Sequence, residues 1–145
     1  MPSESAPTIA ALDLRPNERE STFVRAAGLV LHEVRPTEVT GHIDLGRDHH
    51  TPWGIVHGGV YATAIESAAS IGASTAVRDS GMVAVGLTNT THFLRSATEG
   101  RITVRAEALN QGRTQQLWKV DVQDDNGRLI AHGEVRLQNV PAAAR

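Results

Sequence analysis

The groups best suited to chemistry lie together in one run, Gly54-Ile55-Val56-His57-Gly58-Gly59-Val60-Tyr61-Ala62-Thr63-Ala64-Ile65-Glu66. Gly58 and Gly59 open what reads as a long helix of small residues, and Glu66 is the carboxylate inside its apolar part. A helix start carries N–H groups without intrahelical partners and a partial positive charge, so it can hold a developing oxyanion. A carboxylate among apolar helix neighbours (Ala62, Ile65, Ala69 and Ile71) is expected to be largely covered, which is costly and points to function. An oxyanion holder and an acid/base or nucleophilic group are the minimum for acyl transfer. In this reading the Gly58 amide polarises a carbonyl. Glu66 either attacks the acyl carbon or activates a water, and the residue types leave both routes open.

The spacing adds a demand. Gly58 and Glu66 are eight positions apart, which is roughly 12 Å along one helix. A glutamate side chain cannot span that distance and still reach the carbonyl held at Gly58. The donor and the carboxylate therefore come from different copies of the chain, and a symmetric dimer with two sites at its interface is expected.

The remaining sequence must position these groups. The 145 residues are 40% hydrophobic and 21% charged, enough for one domain with one core. Aromatic residues are only 3%, so that core is aliphatic. Net charge is −2 with no basic run, which argues against nucleic acid as a partner. The absence of cysteine excludes disulfides and thiolate catalysis and suits a reducing, cytoplasmic setting. No run approaches a membrane span, and the start lacks the pattern of a secretory signal.

Residues 1–22, with Pro2, Pro7 and Pro16, read as a flexible arm with a short helical turn near Asn17 to Val24. Residues 141–145 read as a frayed tail, and 23–140 as a single domain. Two strand-like runs lie between Gly28 and Leu45, divided by Arg35-Pro36-Thr37. A helix is expected over 58–79, stopped by Asp79-Ser80-Gly81. Four strands follow: 82–94, one through Ile102 to Ala108, one through Trp118 to Val122, and one through Leu129 to Leu137. Asp124-Asp125-Asn126-Gly127 makes the hairpin between the last two. The order β-β-α-β-β-β-β with one-sided alternation implies an α+β fold in which an antiparallel sheet wraps one long helix.

These residues resemble the hotdog-fold acyl-CoA thioesterases over roughly residues 28–138. The resemblance is carried by Gly54-Ile-Val-His57-Gly58-Gly59, by Glu66, by Ala84-Val-Gly86-Leu-Thr-Asn89, by Phe93-Leu94-Arg95 and by Arg113-Thr-Gln-Gln-Leu-Trp118. A helix glutamate is most similar to the glutamate-dependent 4-hydroxybenzoyl-CoA thioesterases; the phenylacetate-pathway (PaaI-like) enzymes usually carry aspartate there. The resemblance implies a hotdog fold and hydrolysis of an acyl-CoA with an aromatic or medium-sized acyl group. Coenzyme A enters as part of the substrate and no other cofactor is implied. A homodimer that pairs into a homotetramer is implied as the assembly.

For individual residues, the resemblance implies a hydroxyl at Ser70, one turn after Glu66, placed to bond the carboxylate or a water. His57 is placed to donate to the thioester or to orient the loop, and Gly59 to let the substrate approach the backbone. Arg95, Arg113 and Thr114 match positions that contact the nucleotide end of coenzyme A, where arginine suits phosphate. Thr51 departs from the family, which usually carries Asn or Gln six residues before the histidine, so the contact made there is in question. Trp53, Tyr61 and Trp118 are candidates for the acyl pocket or for the core. His49-His50 is a poor metal pair because adjacent loop residues do not converge, and no metal is expected. Two other classes share these features: a hydroxyacyl-thioester dehydratase, whose usual motif His57-Gly58-Gly59 does not match well, and a non-catalytic acyl-CoA-binding module.

Overall fold

A computed structural model describes residues 21–142. Its elements are α1 (Thr22–Ala27), β1 (Val30–Val34), β2 (Glu38–Leu45), α2 (Gly58–Val77), β3 (Met82–Phe93), β4 (Gly100–Gln111), β5 (Gln115–Gln123) and β6 (Leu129–Pro141). The six strands form one antiparallel sheet in the order β1-β2-β4-β5-β6-β3. This is the expected architecture, a sheet around one long helix. The helix is two residues shorter than expected, because Arg78–Ser80 tightens into a 3₁₀ turn that Gly81 closes at φ 71°. Ser21 caps α1, accepting from the Val24 amide, so helix begins at Thr22 where the arm was drawn; residues 1–20 of that arm lie outside the described residues. Pro141 still pairs with Met82 in the sheet, and 143–145 lie outside the described residues.

Alternation explains the core. Val39 and Ile43 of β2, Ile102, Val104 and Ala106 of β4, Trp118, Val120 and Val122 of β5, and Val135 and Leu137 of β6 all face α2. The helix answers with Ala64, Ile65, Ala68, Ala69 and Ala73, whose small side chains allow close approach. Trp118 is fully buried and belongs to this core, with its Nε1–H donating to Gln116 Oε1 at 3.0 Å.

Polar contacts fix the helix lengthwise. Gln116 Nε2 donates to the Ala73 carbonyl at 3.0 Å, the Ser74 hydroxyl accepts from the Ala84 amide at 3.0 Å, and Asn89 Nδ2 donates to the Ala62 carbonyl at 3.1 Å. Each of these satisfies or recruits a backbone group that burial would otherwise leave costly. Together they hold α2 antiparallel to β3. Any residue between positions 62 and 74 therefore has a fixed place over that strand.

β3 is an edge strand 12 residues long. It exposes Val85, Leu87 and Phe93, so among the described residues an unpaired hydrogen-bonding edge and an apolar surface coincide.

Candidate active site

The loop before α2 is tied at every step. The Thr51 amide donates to the Ile55 carbonyl at 2.7 Å, Val56 to Ala97 at 2.9 Å and His57 to His49 at 2.8 Å. Thr51 turns the chain here: its Oγ1 accepts from the Trp53 amide at 3.2 Å, and Gly54 follows at φ 79°. The Thr51 hydroxyl, where the resemblance implies an amide side chain, is thus engaged in the turn. The same turn presents Trp53 at 85% exposure. His49 and His50 also serve the loop, through the Gly46 amide and the Thr98 carbonyl respectively.

His57 is the N-cap of α2, and its Nδ1 accepts from the Gly59 amide at 2.8 Å. That bond makes Nε2 the protonated nitrogen of the neutral ring, so a donor is left facing outward. Gly59, expected at the substrate, thereby commits its amide to the cap. The Val60 amide donates to the His57 carbonyl at 3.0 Å. Among the described residues this leaves the Gly58 amide as the unclaimed donor of the first turn, where the helix dipole adds to it.

Close approach explains two glycines. A Cβ on Gly58 would lie 2.6 Å from Cζ of Phe93, so the Phe93 ring packs on the helix start. A Cβ on Gly86 would lie 2.7 Å from Oε1 of Glu66, so the carboxylate rests over the β3 backbone at that glycine. Gly86 opens a bulge in β3, where the register with β6 shifts between Gly86 and Thr88. The bulge keeps Gly86 and Phe93 on the helix-facing side of the strand, although they are seven positions apart. Gly86, Asn89 and Phe93 lie in the motifs that carry the resemblance, but no site role was expected of them. A glycine inside a Val- and Thr-rich strand is itself a signal of close approach.

Glu66 differs from expectation. In the single chain it is exposed, whereas its neighbours Ile65, Ala68 and Ala69 are buried. The stripe that holds it turns toward the free edge of β3, not into the core. Ser70, one turn on, is half-buried. Replacing Gly86 by valine is expected to push the carboxylate off its seat. Turnover should fall at least tenfold while the melting temperature changes by only a few degrees; calorimetry with a thiol-release assay checks this.

Arg95 does not share a site with Arg113 and Thr114 in one chain. The Arg95 amide bonds the Ile130 carbonyl, and the Thr114 carbonyl accepts from the Asn139 amide. Those two positions on β6 are nine residues apart, about 30 Å of strand. Arg95 lies on an open groove of about 530 Å³ that also holds Arg101, Arg128 and Asp124. There Arg101 pairs with Asp44 at 2.7 Å and Arg128 with Asp124 at 2.9 Å. Hydrogen bonds lower both aspartate carboxyls from their ordinary values, from the Arg101 side chain at Asp44 and first from the Arg128 backbone amide at Asp124. Arg95 carries no ion pair among the described residues.

The family model described as the thioesterase superfamily matches residues 54–131, the stretch from the loop glycine through the helix to β6. A Mycobacterium tuberculosis protein designated an esterase is 41% identical over 122 residues, covering 83% of this chain and 87% of that protein. Its solved structure superposes with a TM-score of 0.82 at 40% identity, over 86% of this chain and 100% of that one. The 1,4-dihydroxy-2-naphthoyl-CoA hydrolase of Listeria monocytogenes is 30% identical over 103 residues, 71% of this chain and 83% of the hydrolase. A thioesterase from Pseudomonas aeruginosa superposes with a TM-score of 0.77 at 26% identity, over 83% and 86% of the two chains. With the capped glycine helix, the wrapped sheet and the helix glutamate in place, the chain belongs to the thioesterase superfamily as a hotdog-fold thioester hydrolase.

Proposed function

We propose that the chain hydrolyses an acyl-CoA thioester with an aromatic or medium-sized acyl group, in sites shared by two protomers. The observation that carries this reading is the placement of Gly58 and Glu66 at Phe93 and Gly86, the end and the middle of one edge strand. The Gly58 amide of one protomer holds the carbonyl oxygen, and the partner's Glu66 acts on the acyl carbon directly or through a water. In the direct route the carboxylate displaces the thiolate, and water then cleaves the acyl-enzyme anhydride. In the other, Glu66 takes a proton from the attacking water. Either way water is consumed, and a free acid and a thiol are released. The aryl-CoA substrate in the name of the Listeria relative supports the acyl class.

Antiparallel self-pairing of β3 brings the two halves together. The contacts described above turn Gly86, Asn89 and Phe93 toward the helix side, and Thr91 shares it, its hydroxyl donating to Asn89 Oδ1 at 2.7 Å. Directly opposed residues of an antiparallel pair share a face. The dyad that meets this rule and brings Phe93 against the partner's bulge at Gly86 passes through Thr90. It sets Asn89 opposite the partner's Thr91. It also carries the partner's Arg113 and Thr114 toward the Arg95 end, so residues far apart in one chain can flank one nucleotide.

Two experiments test the reading. Thiol release from a panel of aromatic and aliphatic acyl-CoA esters should identify a substrate; enoyl-CoA hydration without thiol release would oppose hydrolysis. Because the chain has no cysteine, Thr90→Cys can cross-link only to its own copy. Opposed Cα atoms about 4.5–5.5 Å apart lie within disulfide reach. Oxidised Thr90→Cys should run as a covalent dimer. Thr88→Cys, set opposite the partner's His92, should not; the reverse result would exclude this dyad.

A further inference from the structure

Tyr61 lies one turn into α2 from Gly58. It is 3% exposed, and its hydroxyl is the fully buried side-chain polar atom without a hydrogen-bond partner among the described residues. An unpaired buried hydroxyl is unfavourable, and native structures keep few of them. Its ring centroid lies 6.3 Å from that of Phe93 at a tilt of 44°, an ordinary spacing for an aromatic pair. Phe93 packs in turn on Gly58 and is 58% exposed. The oxyanion donor, an outward ring and an unpaired phenol therefore follow one another at a single helix start.

We infer that Tyr61 is a specificity-determining residue: its hydroxyl is the hydrogen-bond partner of an oxygen carried on the acyl group. This rests on the shared-site reading above, in which the carbonyl sits at Gly58. From there the acyl group runs along the Phe93 ring toward Tyr61. Burial pushes the Tyr61 hydroxyl above its ordinary pKa, so it stays protonated and can donate at neutral pH. A pocket with a buried hydroxyl rejects an acyl group lacking the matching oxygen, because the hydroxyl is then left unpaired.

The test uses non-hydrolysable thioethers, phenacyl-CoA and its 4-hydroxy and 3-hydroxy analogues, titrated calorimetrically against the wild-type protein and Tyr61→Phe. Phenylalanine keeps the ring, so the fold is retained. The wild-type protein should bind one hydroxylated analogue about tenfold or more tightly than phenacyl-CoA. Tyr61→Phe should bring that ratio close to one, by weakening the hydroxylated analogue and relieving the penalty on phenacyl-CoA. A wild-type protein without preference, or a preference that survives in Tyr61→Phe, overturns the inference and leaves an ordered water as the partner of the hydroxyl. Hydrolysis is scored separately on the corresponding benzoyl thioesters. An intact Tyr61-dependent preference without thiol release would overturn the hydrolase mechanism and not this assignment.

Discussion

Glu66→Ala is expected to lower thiol release by roughly 10³-fold or more, with helix content and melting temperature close to wild type. The side chain is exposed in the single chain, with its carboxylate over the backbone at Gly86. Truncation therefore removes no core packing and leaves no cavity. Surface substitutions of this kind usually stay within about 0.5 kcal/mol of wild-type stability. Glu66→Gln separates charge from shape: it fills the same space over Gly86, yet cannot attack a carbonyl or take a proton. Equal losses in the two variants would assign the effect to the carboxylate charge. Steady-state kinetics and thermal denaturation of both variants check this. Wild-type turnover in either would mean that another group does the chemistry.

Gly58→Pro is expected to cost about 10²- to 10³-fold in kcat, the usual loss when one oxyanion donor is removed. Gly58 is the first residue of α2, the helical position that accepts proline best, because its amide has no intrahelical acceptor. His57 before it is extended, at φ −65° and ψ 131°, as a residue preceding proline must be. The substitution deletes one N–H with little demand on the helix. A Cβ there meets the Phe93 ring first, and Phe93 is exposed. Gly58→Ala supplies the control, since it presses on Phe93 in the same way but keeps the amide. A large kcat difference between the proline and alanine variants isolates the donor. Similar kcat values in the two would place the oxyanion contact elsewhere.

Most of the architecture was readable from pattern. Period-two alternation in Val39 to Leu45, Ile102 to Ala108 and Trp118 to Val122 marked strands with one covered face, and all three became core. Asp124-Asp125-Asn126-Gly127 marked a turn, and the Asp124 carboxylate closes it by accepting from Asn126 and Arg128 amides, each at 2.9 Å. The separation of Gly58 from Glu66 was also readable, since one unbroken helix carries both.

What escaped depended on direction and on competing hydrogen bonds. Small neighbours made Glu66 look covered, but which way a helix stripe faces is decided by the strand order, and β3 is at the edge. The local bonds of Gly59 to His57 and of Thr51 to Trp53 could not be read from residue type. Arg95 and Arg113 look alike in sequence. Only the register of β6 shows that they lie toward opposite ends of the sheet.

Mixed dimers test the shared site most directly. Gly58→Pro and Glu66→Ala chains, each nearly inactive alone, are unfolded together in equal amounts and refolded. Half of the dimers should then be mixed, and each of those joins one intact Gly58 amide to one intact Glu66. Thiol release should recover to about a quarter of wild type. Activity no greater than the sum of the two parent proteins, with mixed dimers verified by mass, would contradict a site built from two protomers.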